Sequence, residues 1–310
     1  MNIYISGSMA YDRIMDFPGK FSDYILPDKI HVLNVCFNVN GLSEQFGGTA
    51  GNIAYTLSLL EEKPLIIATI GKDYQQYYAW LEKNNIPVHG ISIIPEEFTA
   101  GAYITTDLAD NQITGFNPGA MKFPSGYRFD DAHPEHSVLL IAPGNLQDMI
   151  EYASLCRQKR IRYICDPGQS LTKWEGEALR NWLEGSMMLI SNDYELEIIM
   201  KMTGMHKKYL LALTDVIITT LGEKGSLIST ADSDVHVPSI RVEHVIDPTG
   251  AGDAYRAGLL KGVVTGKDIQ TAARLGSVAA AYAIEKYGTQ EHHFLYDDFV
   301  ERYRKHFGEF

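Results

Sequence analysis

The sequence predicts an α/β protein: a three-layer core in which helices cover both faces of a mostly parallel sheet, with a small β-sheet lid standing off it. Two observations carry this. From Pro64 onward, apolar runs of strand length alternate with helical patterns, and a strand that is apolar throughout needs cover on both faces. Residues 13–46 and 102–116 break that rhythm, being β-type and polar-alternating with no helix between their runs, so they read as one separate sheet over the site. The core then comprises residues 1–12, 47–101 and 117–310.

Taken in order, Asn2–Gly7 is a short β run closed by Gly7-Ser8, and Asp16-Phe17-Pro18-Gly19 is a turn. Val, Phe and Cys enrich His31–Val39, which reads as a strand, and Asn40-Gly41 signals a hairpin. Gly47-Gly48-Thr49-Ala50-Gly51-Asn52 opens the helical pattern Ile53–Leu60. Strand Leu65–Ile70 and helix Tyr74–Asn84 follow, then β runs Ala102–Thr106 and Gln112–Phe116 joined by a polar turn at Asp107–Asn111. Strand Val138–Ala142, helix Leu146–Lys159, strand Ile161–Cys165, helix Glu175–Leu183 and strand Met187–Ser191 resume the alternation. Helix Tyr194–Met202, a short helix about Tyr209, strand Val216–Thr220 and a hairpin over Ser226–Val237 continue it. The β-branched run Arg241–Ile246 reads as a strand stopped at Asp247-Pro248, because proline lacks a donor and biases its predecessor away from helix. Ala254–Val264 has the composition of a buried helix.

The chemistry concentrates just before that helix. Gly250-Ala251-Gly252 lets the chain turn so that free N–H groups converge at the positive end of the helix dipole, a geometry that holds phosphate. A carboxylate there, Asp253, would be repelled by bound phosphate. It fits if it takes the proton of a substrate hydroxyl while the N–H groups hold the phosphoryl group in transfer. It fits equally as an ordinary helix cap. Gly47–Asn52 is a second glycine turn at a helix start, where glycine also permits tight helix–sheet packing. Asn52 can donate and accept toward vicinal hydroxyls, and Asp12 is an acceptor pair for two such hydroxyls or else a solvated turn residue. Neither glycine turn matches a Walker loop or a dinucleotide fingerprint, which disfavours NAD chemistry. His292-His293 has no carboxylate or Cys at metal spacing and reads as surface, and Tyr74, Tyr77, Tyr78 and Trp80 read as core plus surface.

The string DPTGAGD over Asp247–Asp253, with the Ala-Tyr-Arg-Ala-Gly helix after it, resembles the C-terminal signature of the PfkB (ribokinase-like) sugar and nucleoside kinases. GSMAYDRIMDFPGKFSDYILPD, GGTAGN, TTDLADNQITGFNPGAM and the DPGQ after Ile161–Cys165 are similar to the bacterial adenosine and nucleoside kinases of that family. The resemblance implies a ribokinase-like fold and ATP-dependent phosphorylation of a nucleoside 5′-hydroxyl. It puts the anion hole on Gly250, Ala251 and Gly252 and the catalytic base on Asp253. Asp12, Gly48 and Asn52 would hold ribose, with the base under the lid near Ser8, Cys36 and Phe116, and Gln169 among the substrate contacts. Asn192 and Glu195 look like the family's Asn-x-x-Glu motif, which orders water and Mg²⁺ about the ATP phosphates. Thr220, Gly222 and Gly225 would meet the nucleotide, and backbone oxygens near Asp247 and Thr249 a K⁺ ion. Adenosine-specific relatives carry an aromatic wall near position 102, where this chain has Ala102. Tyr103 next in line faces the other side of a strand, so a broader nucleoside site is expected. The alternative within the family is a ribokinase-type sugar kinase.

A chain of 310 residues with net charge −12 has no use for the basic patches that nucleic acid or a membrane surface needs, so neither is expected as a partner. Cys36, Cys156 and Cys165 lack CxxC spacing and read as reduced core residues. With no basic or apolar leader and no run of membrane length, a cytoplasmic location is expected. An apolar outer face on the lid, from Val32, Val35 and Phe37 or their alternates, points to a homodimer through the lid sheets.

Overall fold

A computed structural model describes residues 1–109 and 111–309. Asp110, within the expected 107–111 turn, and Phe310 lie outside the described residues. The chain starts with β1 (Asn2–Ser6) and crosses directly into β2 (Ala10–Asp16). Two 3₁₀ turns, Phe21–Asp23 and Pro27–Val32, precede β3 (Leu42–Gly47), which feeds α1 (Thr49–Leu59). Next come β4 (Leu65–Gly71), α2 (Gln75–Lys83), β5 (Ile91–Ile94), β6 (Ala100–Thr106) and β7 (Gln112–Asn117). The regular alternation then runs β8 (Ser137–Ile141), α3 (Leu146–Lys159), β9 (Arg162–Cys165), α4 (Gly176–Leu183), β10 (Met188–Asn192) and α5 (Asp193–Thr203). It ends with α6 (Lys207–Leu210), β11 (Ile217–Thr220), the hairpin β12 (Ser226–Ser229) and β13 (Asp234–Val237), α7 (Ala251–Val264), α8 (Ile269–Ile284) and α9 (Tyr296–Phe307).

Among the described residues these strands make two sheets. The large one has the order β13-β12-β11-β10-β9-β8-β1-β4-β5, parallel from β11 through β5 and antiparallel in the edge hairpin. The small one, β3-β2-β6-β7, is mixed: β2 is antiparallel to β3 and parallel to β6. Period-two alternation divides the core. Ile3, Ile5, Val138 and Leu140 pack with α1 and α7, whereas Tyr4, Leu139 and Ile141 pack with α3 and α4. This is the expected three-layer ribokinase-like core with a separate small sheet.

Two expected strands are absent. His31–Val39 has no ladder partner; Val32 is 73% exposed, while Phe37 rests on Phe17 and Phe21 with ring centroids 4.5 and 5.5 Å away. Its apolar residues satisfy a local aromatic cluster and not a sheet. Residues 241–246 are irregular too, tethered where Ile246 N–H donates to Ile284 O at 2.8 Å, and their apolar side chains line a cavity. Of the cysteines, Cys156 and Cys165 are buried as expected, but Cys36 is exposed because its segment never joins the core. His292 also departs from expectation. It is 1% exposed, stacked edge-on to Tyr55, with Nε2 3.0 Å from Thr56 Oγ1.

Candidate active site

The C-terminal ends of the parallel strands meet at one edge of the large sheet, where order switches about β1. Crevices of open α/β sheets form at such an edge. Ser8 follows β1, Gln169 follows β9, Asn192 ends β10 and Thr220 ends β11. Gly48 caps α1 at φ +89°, and a Cβ there would lie 2.6 Å from Ser8 O, so only glycine lets the α1 turn close on the β1–β2 crossing. The Ser8 hydroxyl is spent on that junction, accepting from Thr49 N–H at 3.0 Å.

Gly250 caps α7 at φ +78°. Of the expected anion-hole donors, Ala251 N–H already donates to Pro248 O at 3.2 Å. The N–H groups of Gly250, Gly252 and Asp253 donate to no group among the described residues, so these three form the open nest. Asp253 sits in the first turn and makes no cap bond. Its Oδ2 instead accepts from Asn52 Nδ2 at 2.8 Å, which removes the helix-cap alternative. Burial pushes the Asp253 carboxyl up to about 6, against the opposing pull of Arg256 and the Asn52 amide. Arg256 lies one turn on, forks onto buried Asp166 (Nη2 to Oδ1 2.7 Å, and Nε to Oδ2), and donates from Nη1 to Gly252 O at 2.9 Å. Burial opposes its charge, but the Asp166 carboxylate outweighs that and keeps it cationic beneath the nest.

Across the crevice stands the small sheet. Asp12, Gln45, Ala102 and Phe116 are register partners and share one face, while Arg13, Tyr103 and Glu44 share the other. Tyr103 OH accepts from Arg13 Nη1 at 3.1 Å, so it belongs to the far face, as expected. The Asp12 carboxylate accepts no hydrogen bond from the described residues, and burial, then the charge of Asp247, pushes its pKa up. Phe116 is 54% exposed on the same face. Cys36 is exposed next to Phe37 of the Phe17–Phe37 cluster, and Gln169 is exposed without a partner among the described residues.

A cavity of about 830 Å³ opens from the nest, within the size range of small-ligand sites. Thr220, Gly222 and Gly225 line one side, Ala251 and Gly252 the floor, and Ser277, Ala280 and Ala281 of α8 the other wall. The α8 wall was not read from the sequence; its only signal is a run of small residues on an apolar helix. Asn192 and Glu195 form a capping box, Glu195 N–H donating to Asn192 Oδ1 at 2.7 Å and Asn192 N–H to Glu195 Oε2 at 2.9 Å. The second Glu195 oxygen accepts no bond from the described residues, and burial pushes this carboxyl up. Asp247 accepts from Thr249 N–H at 2.9 Å and from Gly288 N–H at 3.0 Å. Burial acts to raise its pKa, but these bonds outweigh it and hold the carboxylate low.

A second element escaped sequence reading: Gly288-Thr289-Gln290, buried between α8 and α9. Gly288 N–H grips Asp247, Thr289 Oγ1 donates to Phe46 O at 2.9 Å, and Gln290 Nε2 donates to Asn52 Oδ1 at 3.0 Å. One tripeptide thus ties the nest, the end of β3 in the small sheet and the residue holding Asp253. Polar residues just past the apolar helix α8 were the available signal.

The pfkB family carbohydrate kinase pattern matches residues 20–293. The chain is 31% identical over 290 residues to a nucleoside kinase of Methanocaldococcus jannaschii, covering 92% of this chain and 94% of that one. The solved nucleoside kinase of Burkholderia thailandensis in complex with inosine superposes with a TM-score of 0.83 at 35% identity, covering 99% of this chain and 98% of that one. The same protein in complex with ADP-inosine gives 0.81 at 36%, covering 99% and 96%. With a glycine nest, an aspartate that does not cap its helix and a family match across most of its length, the chain belongs to the pfkB family of carbohydrate kinases.

Proposed function

We propose that this protein transfers a phosphoryl group from ATP to the 5′-hydroxyl of a nucleoside, adenosine among its substrates, giving the nucleoside monophosphate and ADP. The observation that carries the reading is Asp253, a carboxylate beside an open N–H nest that is turned away from capping duty by Asn52. Asp253 takes the hydroxyl proton as the oxygen attacks, and the nest carries the charge developing on the phosphoryl oxygens. The cavity lined by Thr220, Gly222 and Gly225 fits the nucleotide. Among the described residues no three His, Cys, Asp or Glu side chains cluster to hold a metal ion, which suits Mg²⁺ arriving on the nucleotide phosphates with Glu195 reaching it through water. When bound, Mg²⁺ neutralises phosphate charge. A K⁺ ion at the backbone oxygens near Asp247 and Thr249 belongs to the same reading.

The relatives named nucleoside kinase, one of them in complex with inosine, support a nucleoside acceptor. The ribose would meet Asp12, Gly48 and Asn52, and the base would lie against Phe116. Small Ala102 on the Asp12 face supports breadth over strict adenosine selectivity. The small sheet acts as a lid that closes on the nucleoside, and its exposed outer residues, among them Val32, Leu42 and Ile113, would pair with a second copy. Light scattering giving 34.7 kDa at micromolar concentration would remove the dimer. The substrate is tested with ATP and a panel of adenosine, inosine, guanosine, cytidine, ribose and fructose. Several nucleosides should turn over well above ribose; ribose leading every nucleoside would move the protein to the ribokinase-type alternative.

A further inference from the structure

Trp80, on α2, is far in sequence from the nest, yet it begins a hydrogen-bond chain that ends on Asp253. Its indole Nε1–H can only donate, so the Gln290 amide atom 2.8 Å away is the oxygen. The Gln290 nitrogen must then face inward, where it donates to Asn52 Oδ1 at 3.0 Å and to Tyr77 OH at 2.8 Å. Tyr77 in turn donates to Gly47 O at 2.7 Å. With Asn52 Oδ1 taken as acceptor, the atom that Asn52 turns to Asp253 is Nδ2, and it donates to Oδ2 at 2.8 Å. Gln290 is 1% exposed and Tyr77 is fully buried, so no water competes for these positions.

We propose that Trp80 and Gln290 are positioning residues for phosphoryl transfer: by fixing the Asn52 amide as a donor, they hold one oxygen of Asp253 and leave the other for the substrate hydroxyl. An Asn52 amide turned the other way would set oxygen against the carboxylate, swinging it off line and penalising its ionised form. The charged groups that also act on Asp253 are Arg256 and Asp166, and neither touches this chain, so its effect is separable from theirs. The inference rests on reading Asp253 as the base.

The test uses Gln290→Glu and Trp80→Phe in the full-length protein, with melting temperature as the folding control. Gln290→Glu keeps an acceptor for Trp80 but sets oxygen against Asn52 Oδ1, favouring the turned amide. Its kcat should fall about tenfold, short of the loss expected on removing the base itself. The acid limb of its kcat–pH profile should move up by about one unit, from the lost charge-assisted bond together with the carboxylate the change adds, so the uncharged Trp80→Phe arm isolates the orientation of the amide. The nucleotide KM should hold. Trp80→Phe frees the Gln290 amide to rotate and should shift the same limb the same way by less. Profiles that superimpose on wild type in a folded variant overturn the proposal, as does a loss confined to KM. If Gln290→Glu does not fold, the Trp80→Phe profile decides alone. The underlying reading fails by a different result, full turnover in Asp253→Asn, so the two failures are told apart.

Discussion

The floor of the crevice and the small sheet above it treat polar groups in opposite ways. On the floor, Asn52 bonds Gln290 and Asp253, Arg256 bonds Asp166, and Asp247 accepts from Gly288 N–H, at 2.7–3.0 Å. On the lid face, Asp12 has no partner among the described residues and Phe116 is over half exposed. A network satisfied before substrate arrives needs no reorganisation during reaction, which is where electrostatic catalysis gains most. Groups left open spend their interactions on the ligand instead. On the proposed reading, chemistry is built into the floor and recognition is left to the small sheet.

The hardest test of that division is Asp253→Asn. It keeps the size of the side chain but cannot accept a proton, so kcat should fall by about 10²–10⁴-fold with little change in nucleoside affinity. Wild-type turnover should also rise with pH through about 6, because the base works only when ionised and burial pushes its pKa to about 6. A wild-type rate flat from pH 5 to 7 would separate Asp253 from the proton transfer.

A smaller effect probes whether the floor is as rigid as it looks. Thr56 Oγ1 donates to Asn52 O at 3.1 Å, so His292 Nε2 must supply the proton between them, leaving Nδ1 buried without a partner. Burial, and secondarily His293, pushes the His292 pKa down to about 4 from 6.5. The unfolded chain then takes up a proton below 6.5 that the folded chain refuses until about 4. This stabilisation is complete above pH 6.5 and fades as pH falls toward 4, by about 3 kcal/mol in all. Asp253, with its raised folded pKa, acts in the opposite sense over that window. The measurement is therefore the difference in denaturant stability between wild type and His292→Gln across pH 4–7. A difference independent of pH would show that the imidazole is free to protonate.

The lid side gives the gentlest change. Asp12→Ala should weaken nucleoside binding by about 1–3 kcal/mol, the cost of leaving hydroxyls unpaired, while nucleotide affinity and melting temperature stay put. Calorimetry with each ligand separately reads this out. Equal losses for both ligands, or none, would make Asp12 part of the scaffold and erase the contrast with the floor.

How much of this could be read in advance depended on how local each feature is. The parallel strands were legible because β8, SVLLI, is buried along its whole length and says so in its composition. Asp253 and its glycines were legible because one decapeptide contains them. His31–Val39 misled because its Val, Phe and Cys serve a cluster around Phe17, and β-branched composition does not say whether a partner strand exists. Residues 241–246 misled for a related reason, their apolar side chains lining the cavity mouth. Helices α8 and α9 and strand β5 went unread, and with α8 one wall of the cavity. Gln290 was out of reach because its meaning depends on Trp80 and Asn52, 210 and 238 positions away.

The sheet order has a consequence for how the protein is made. β1, the earliest of these strands in sequence order, lies between β4 and β8, and β8 begins at Ser137. Asn52 must wait 201 residues for Asp253 and 238 for Gln290. Lid pairings between β2 and β3 form within the first fifty residues, whereas the crevice floor cannot close until nearly the whole chain has emerged. A product that stops before residue 290 carries every strand of both sheets, the aspartate and Asn52, but not the Gln290 amide that fixes which way Asn52 turns.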